Sequence, residues 1–213
     1  STRIIGALIM VHGDNSGLVL PPRIAPTQVV IIPIQQRKAG VLDKAYELKE
    51  TLSNFRVKVD DSDKSPGFKF ADQEMRGFPL RVEIGPRDIA ANKCVTVKRV
   101  NREKNFESLE NIEEVIAQRL CEVRDAMFEK ALANREEKTY DCTTMDEIKT
   151  ALAEKGDGLV MAMWCGDEEC EDKVKAETGV GSRCIPLQQR KIAGKCVCCG
   201  KDAQHMVCWG IAY

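Results

Sequence analysis

The sequence has no apolar run long enough to cross a bilayer, so no membrane segment is expected. Nor does it open like a secretory leader. STRIIGALIM carries a single basic residue and runs into a Pro-rich stretch rather than a small-residue cleavage site. An initiator Met is also missing, which leads us to expect a chain that begins inside a larger, cytoplasmic protein. Histidine is nearly absent. His12 and His205 are the only two, and both read as structural rather than catalytic. No internal repeat and no low-complexity segment interrupts the chain. The net charge of −1 gives no global field that would announce nucleic acid. Without a secretory signal, the ten cysteines do not read as a disulfide framework.

What is present is organised. Over 213 residues with 43% hydrophobic content an ordinary core is possible. Charge is segregated along the chain. Residues 64–104 hold ten Lys and Arg against five Asp and Glu, whereas 105–175 hold nine against nineteen. A basic block beside an acidic one suits a local phosphate-facing surface, although a solvated surface without a partner has the same composition.

RIIGALIMVH (3–12) predicts a buried apolar helix stopped by GDNSG, and LVLPPRIAP (18–26) reads as a connector. QVVIIPI (28–34) is a continuous β-branched run, the pattern of a strand covered on both faces. An amphipathic helix follows over 41–55, a strand over 56–59, a helix over 68–76, and strands over 80–84 and 94–100. The apolar stripe Ile112, Val115, Ile116, Leu120, Val123, Met127 predicts a long helix over 111–132. A further helix starts at the capping box of Thr144 and Glu147 and ends near Gly156, before a strand at 159–163. The succession from 28 to 132 predicts an α/β domain with a mixed sheet, followed by a small α+β domain.

The cysteine spacing reads as metal chemistry. Cys165 and Cys170 form one pair, and Cys196 with Cys198 or Cys199 the other. Two paired thiolates separated by a loop make a closed tetrahedral sulfur site, which is structural because no position remains for substrate. The alternative is a set of buried or redox-active thiols. Cys184, in Arg-Cys-Ile-Pro, is expected in the core.

Several long motifs, collinear over nearly the whole chain, carry a family resemblance. TRIIGALIMVHGD followed by GLVLPPRIAPTQVVIIPI resembles the third signature motif of a class II aminoacyl-tRNA synthetase running into its anticodon-binding domain. SPGFKF, RGFPLRVEIGPRD, the CGxxxC, CIP and CVxCGK series and a terminal Tyr are similar to prolyl-tRNA synthetases of the eukaryote- and archaeon-like type. The resemblance implies three segments: the end of a catalytic core (1–26), an anticodon-binding domain (27–140) and a zinc-binding domain (141–213). The first and second class II motifs are not in the sequence, so the chain is expected to be inactive alone and to work with a remaining N-terminal part, as a homodimer through the catalytic core.

The same resemblance implies roles for particular residues. Arg3 falls on the motif-three arginine, where a fixed guanidinium neutralises the phosphates of ATP, a substrate that arrives with Mg2+. Ser1 falls on a hydroxyl that also contacts ATP. Glu74, Arg81, Arg87, Asp88 and, less securely, Lys104 fall at the anticodon of tRNA(Pro). Reading its two guanines takes a cation for O6 and N7 and a carboxylate for N1–H and N2–H2. A charged strand face with internal salt bridges, Arg81 paired with a neighbouring carboxylate, is the competing reading of the same residues. Among the cysteines the resemblance favours Cys199 over Cys198, because Gly-Lys follows the last zinc ligand in the family. The carboxylate of Tyr213 is expected to approach the active site. Two other functions fit parts of the chain: an RNA-binding module that borrowed the anticodon domain, and a zinc scaffold for protein partners. The segment 1–12 argues against the former, the basic block against the latter.

Overall fold

A computed structural model describes residues 1–156 and 158–212, apart from the side chain of Lys155. By compactness the chain divides into two units, residues 1–131 and 132–213.

The first unit opens with helix α1 (Arg3–His12), followed by strand β1 (Val29–Pro33). Every residue of β1 is buried, as its β-branched run requires. Helix α2 (Val41–Thr51) buries Val41, Ala45 and Leu48, one stripe at helical spacing. Strand β2 (Val57–Val59) comes next. Helix α3 (Pro66–Arg76) starts two residues earlier than its hydrophobic pattern suggests. The Ser65 hydroxyl accepts the Phe68 amide at 3.3 Å, and Pro66 occupies the first turn, where no amide is needed. Strand β3 (Leu80–Ile84), the short helix α4 (Pro86–Ala90), strands β4 (Lys93–Lys98) and β5 (Lys104–Ser108) and the long helix α5 (Ile112–Glu137) complete it.

The five strands lie in the order β2-β1-β3-β4-β5, with β1 parallel to both neighbours and β4 and β5 antiparallel. On one face, Val29, Ile31, Leu80, Val82 and Ile84 pack with Ala45 and Leu48 of α2 and with Ile112, Ile116 and Leu120 of α5. Arg81, between Leu80 and Val82, points to the opposite face, where α3 lies.

α1 departs from expectation. It is helical but buries none of its residues, and Ile4, Ile5, Ile9, Met10 and Val11 are all exposed. An apolar sequence reports that a face prefers to be covered, not that the same chain supplies the cover.

After α1 the chain crosses the carboxyl end of α3 at very close range. The Leu18 amide donates to the Met75 carbonyl (3.0 Å) and the Leu20 amide to the Gly77 carbonyl (3.1 Å). Gly17 and Gly77 permit this. Both have positive φ (127° and 73°), and a Cβ would come within 2.5 Å of the Met75 carbonyl oxygen at Gly17 and within 2.6 Å of Leu18 at Gly77.

The second unit holds strand β6 (Thr139–Asp141), helix α6 (Met145–Lys155), strand β7 (Leu159–Trp164), helix α7 (Glu168–Thr178) and strands β8 (Val180–Cys184) and β9 (His205–Ile211). The sheet runs β6-β7-β9-β8. Val160, Ala162, Val207 and the fully buried Trp209 meet Ile148 of α6 and Val174 of α7. Thr144 caps α6 by accepting the Glu147 amide at 3.2 Å.

Gly17→Ala and Gly77→Ala are each expected to cost about 1–3 kcal/mol, since each sets a Cβ against backbone at a strained φ. Denaturant unfolding should show a lowered midpoint with an unchanged slope. Gly40→Ala, at a similar φ but with open space around it, should cost less.

Candidate metal centre and nucleic-acid interface

The cysteines of the second unit converge because two turns face each other. Cys165 follows β7, and Cys170 lies in the first turn of α7, so the five-residue spacing spans a strand-to-helix turn. Gly166, with φ 93°, and the Asp167 cap make that turn. From the other side, Cys196 and Cys199 flank a tight turn. The Cys196 amide donates to the Lys201 carbonyl (2.8 Å), the Gly200 amide to the Cys196 carbonyl (3.1 Å), and the Val197 amide fastens the loop to Met163 of β7 (2.8 Å).

The sulfurs of Cys165, Cys170, Cys196 and Cys199 all lie within 4.8 Å of one another, and those of Cys165 and Cys199 are 3.7 Å apart. A disulfide needs about 2.05 Å. Four thiolates about 2.3 Å from one tetrahedral ion sit about 3.8 Å from each other, so the donor set and its spacing fit a soft divalent metal. Cys198 is not in this group. It is partly buried against the hydrophobic core, with its thiol also close to Cys170. Cys184 is a correction to the expected core position: it is exposed on β8, the edge strand. None of the ten cysteines is in a disulfide.

The surroundings favour thiolate at one position and oppose it at others. Burial pushes Cys165 and Cys170 up, whereas the backbone amide of Lys201 holds Cys199 down at about 7. Cys170 also stands at the positive end of α7.

The candidate nucleic-acid residues gather on the first unit. Arg81 is buried and already engaged. Its Nε donates to Glu83 (2.9 Å), one terminal nitrogen donates to Glu74 (3.3 Å), and the guanidinium lies 4.2 Å from the centre of the Phe70 ring. Glu74, on α3, is half-buried, and its other oxygen faces Arg102 at 3.4 Å. Lys104 stands in the same cross-strand row as Arg81, with Val97 between them, so both point to one face about 10 Å apart. Arg87 and Asp88 follow the carboxyl end of β3. Asp88 uses one oxygen to accept the Gly85 amide (2.8 Å) and so starts α4. Arg87 is exposed and, among the described residues, has no ion pair or side-chain hydrogen bond. Arg3 and Ser1 lie exposed at the start of α1, where the Ser1 hydroxyl accepts the Arg3 amide (3.3 Å). Tyr213 lies outside the described residues. His12 closes α1, and partial burial lowers its pKa.

Sequence reasoning missed several polar residues. Glu83, two positions after Arg81 on the same strand face, was within reach of the period-two pattern. Lys69 was not: it is buried on α3 and donates to the Gln36 side chain (2.9 Å) and the Asp60 carbonyl (2.7 Å). Its neighbours Arg37, Lys38 and Lys64 line a cavity of about 340 Å3 at the carboxyl end of β1. Arg99 and Asp14 were also overlooked, being 85 residues apart in sequence.

Comparison with known proteins bears on the domains that carry these residues. The family described as "Anticodon binding domain" matches residues 28–119, and "Prolyl-tRNA synthetase, C-terminal" matches 145–213. The proline–tRNA ligase of Lachnoclostridium phytofermentans is 58% identical over 213 residues, covering 100% of this chain and 44% of the relative. That of Ruminiclostridium cellulolyticum is 56% identical over 214 residues, covering 100% and 45%. The chain belongs to the prolyl-tRNA synthetase family. It corresponds to the carboxy-terminal portion and spans about 45% of the length of these relatives. The first unit thus carries the family's mixed-sheet anticodon-binding domain, and the second its small α+β domain with a four-cysteine cluster. No helix among the described residues is long and apolar enough to cross a membrane.

Cys165→Ser and Cys199→Ser are each expected to lower the metal content of the purified protein, read by elemental analysis, while Cys198→Ser should leave it unchanged. Ligation requires deprotonated sulfur, so acid should release the metal progressively and raising the pH should restore it.

Proposed function

We propose that this chain supplies tRNA selection, one nucleotide contact and a structural zinc site to an enzyme that activates L-proline with ATP and transfers it to tRNA(Pro). The observation that carries this reading is the match to proline–tRNA ligases along the whole chain, with Glu74, Arg81 and Lys104 on one face of the anticodon-binding domain and Arg87 and Asp88 in the turn after β3. The enzyme acts as a homodimer in the cytoplasm, and the rest of its catalytic core lies in sequence that this chain does not contain.

In this reading the two guanines of the anticodon are splayed against the first unit, where both of their edges are accessible. Glu74 and Asp88 offer acceptors for N1–H and N2–H2. Arg87 and Lys104 offer donors for O6 and N7. Arg81, held by Glu74, Glu83 and Phe70, acts mainly by fixing the Glu74 carboxylate. The exposed apolar side of α1 fits a helix that packs under the remaining catalytic core, with Arg3 beside the phosphates of ATP and Ser1 next to it. An RNA adaptor would have no use for such a helix.

The cysteine cluster takes zinc through Cys165, Cys170, Cys196 and Cys199. With four sulfurs around it, the ion keeps no open position. It cross-links the β7–α7 turn to the 196–201 loop and supplies no step of the reaction.

Two measurements test the proposal in the complete enzyme. Arg3→Ala should reduce proline-dependent ATP–pyrophosphate exchange by several kcal/mol of transition-state stabilisation, on the order of a hundredfold or more, with the fold intact. Normal exchange would remove Arg3 from the site. Arg87→Ala should weaken prolylation of cognate tRNA by about 1–3 kcal/mol in kcat/KM and leave tRNA-independent exchange unchanged. An equal loss on tRNAs with and without the two guanines would make Arg87 a backbone contact, and no loss on either would return the cluster to a charged surface.

A further inference from the structure

Arg99 lies in the turn after β4, and its side chain is 2% exposed. It does not reach the candidate base-reading surface itself. Its guanidinium is instead divided between two segments. Nε donates to the backbone carbonyl of Glu74 at 2.8 Å, in the last turn of α3. The two terminal nitrogens grip both oxygens of Asp14 at 2.7 and 2.6 Å. Asp14 sits two residues beyond α1, in a turn closed by reciprocal amide–carbonyl bonds with Gly17 (both 3.0 Å). Hydrogen bonding to Arg99 holds its carboxyl well below the usual carboxylate range. A second arginine follows the same path. Arg102 contacts the Ser16 hydroxyl and the Glu74 carboxylate.

Each of these bonds has a cost if unmade. A guanidinium this deeply buried needs its anion, and a fork that bonds three acceptors at once fixes their relative positions. The backbone of Glu74 is therefore located by Arg99, while its carboxylate is located by Arg81 and Arg102. The Asp14 turn is held against α3 by the same guanidinium and by the Leu18–Met75 and Leu20–Gly77 bonds.

We propose that Arg99 is a positioning residue for anticodon specificity: it braces the last turn of α3 against the Asp14 turn and so aims Glu74 at the base it reads. This rests on the reading of Glu74 as a base contact.

The test uses the intact synthetase and two transcripts, cognate tRNA(Pro) and one whose two anticodon guanines are replaced. The quantity read is the ratio of their kcat/KM values. Arg99→Lys keeps the charge but cannot serve three acceptors in one plane. It should lower the ratio by about tenfold or more while proline-dependent ATP–pyrophosphate exchange stays within about twofold of wild type. Asp14→Asn keeps the shape and removes the anion, and should shift the ratio in the same direction by a smaller factor. It carries the test alone if Arg99→Lys does not fold. An unchanged ratio in folded variants overturns the proposal, and so does a loss that falls equally on exchange and on both transcripts, since a merely structural residue would give that. A wild-type enzyme that does not distinguish the transcripts would instead overturn the anticodon reading itself, which separates the two failures.

Discussion

The first unit is organised by the burial of β1 on both faces. Five consecutive residues, Val29 to Pro33, are inaccessible, and such a strand persists only if neighbours satisfy its backbone on both edges and helices cover both sides. β2 and β3 supply the edges as parallel partners. Parallel neighbours require crossover connections, and α2 and α3 are those connections. Because β2 lies on one side of β1 and β3 on the other, the two crossovers leave on opposite faces. The carboxyl ends of β1 and β3 and the amino ends of α3 and α4 therefore collect at one edge of the sheet. Lys69, the 340 Å3 cavity and the Arg87–Asp88 turn lie along it. The Arg87–Asp88 turn thus owes its place to topology, whereas Glu74, Arg81 and Lys104 lie toward the other end of the sheet, beside the carboxyl end of α3.

The second unit solves a different problem. It has a four-stranded sheet and two helices of eleven residues, and a core that small stabilises a fold only marginally. The loop at 185–204 contributes little to the core beyond Val197 and the half-buried Cys198. A metal held by Cys196 and Cys199 on this loop and by Cys165 and Cys170 on the facing turn would replace the missing apolar contact with four bonds. The thiols cluster where the loop has few other apolar contacts, and Cys198, between Cys196 and Cys199 in sequence, packs against the core.

Elements with a strong local signal were legible in the sequence. β1 announced itself by an unbroken β-branched run and α5 by six apolar residues in register. Three of the elements that were missed share a physical cause. β5 (KNFES), β6 (TYD) and β8 (VGSRC) are short edge strands, and edges carry polar residues to discourage further pairing. α7 buries only Cys170 and Val174, too narrow a stripe to stand out from its acidic surroundings. Cysteine spacing located three of the clustered sulfurs. It could not choose between Cys198 and Cys199, because that depends on which way the 196–201 turn points. The Arg99–Asp14 pair left no local trace at all.

The polar face shows how a charged surface can be specific without being loosely charged. Arg81 and Arg99 are buried beside Glu74, and each already holds a carboxylate partner. Exposed charges in isolation would be screened by salt and mobile, giving attraction without discrimination. Buried arginines with fixed carboxylate partners lose little further entropy on binding and hold their acceptors in place. The division of labour follows from these energetics. Arg87 and Lys104 remain exposed, where a base or phosphate can reach them. Arg81 holds the Glu74 carboxylate and Arg99 the Glu74 backbone; on the proposed reading, that carboxylate would distinguish guanine, with its N1–H and N2–H2 donors, from bases that present acceptors there. Discrimination of that kind needs an acceptor that cannot turn away to water, and three guanidinium groups around Glu74 provide the restraint.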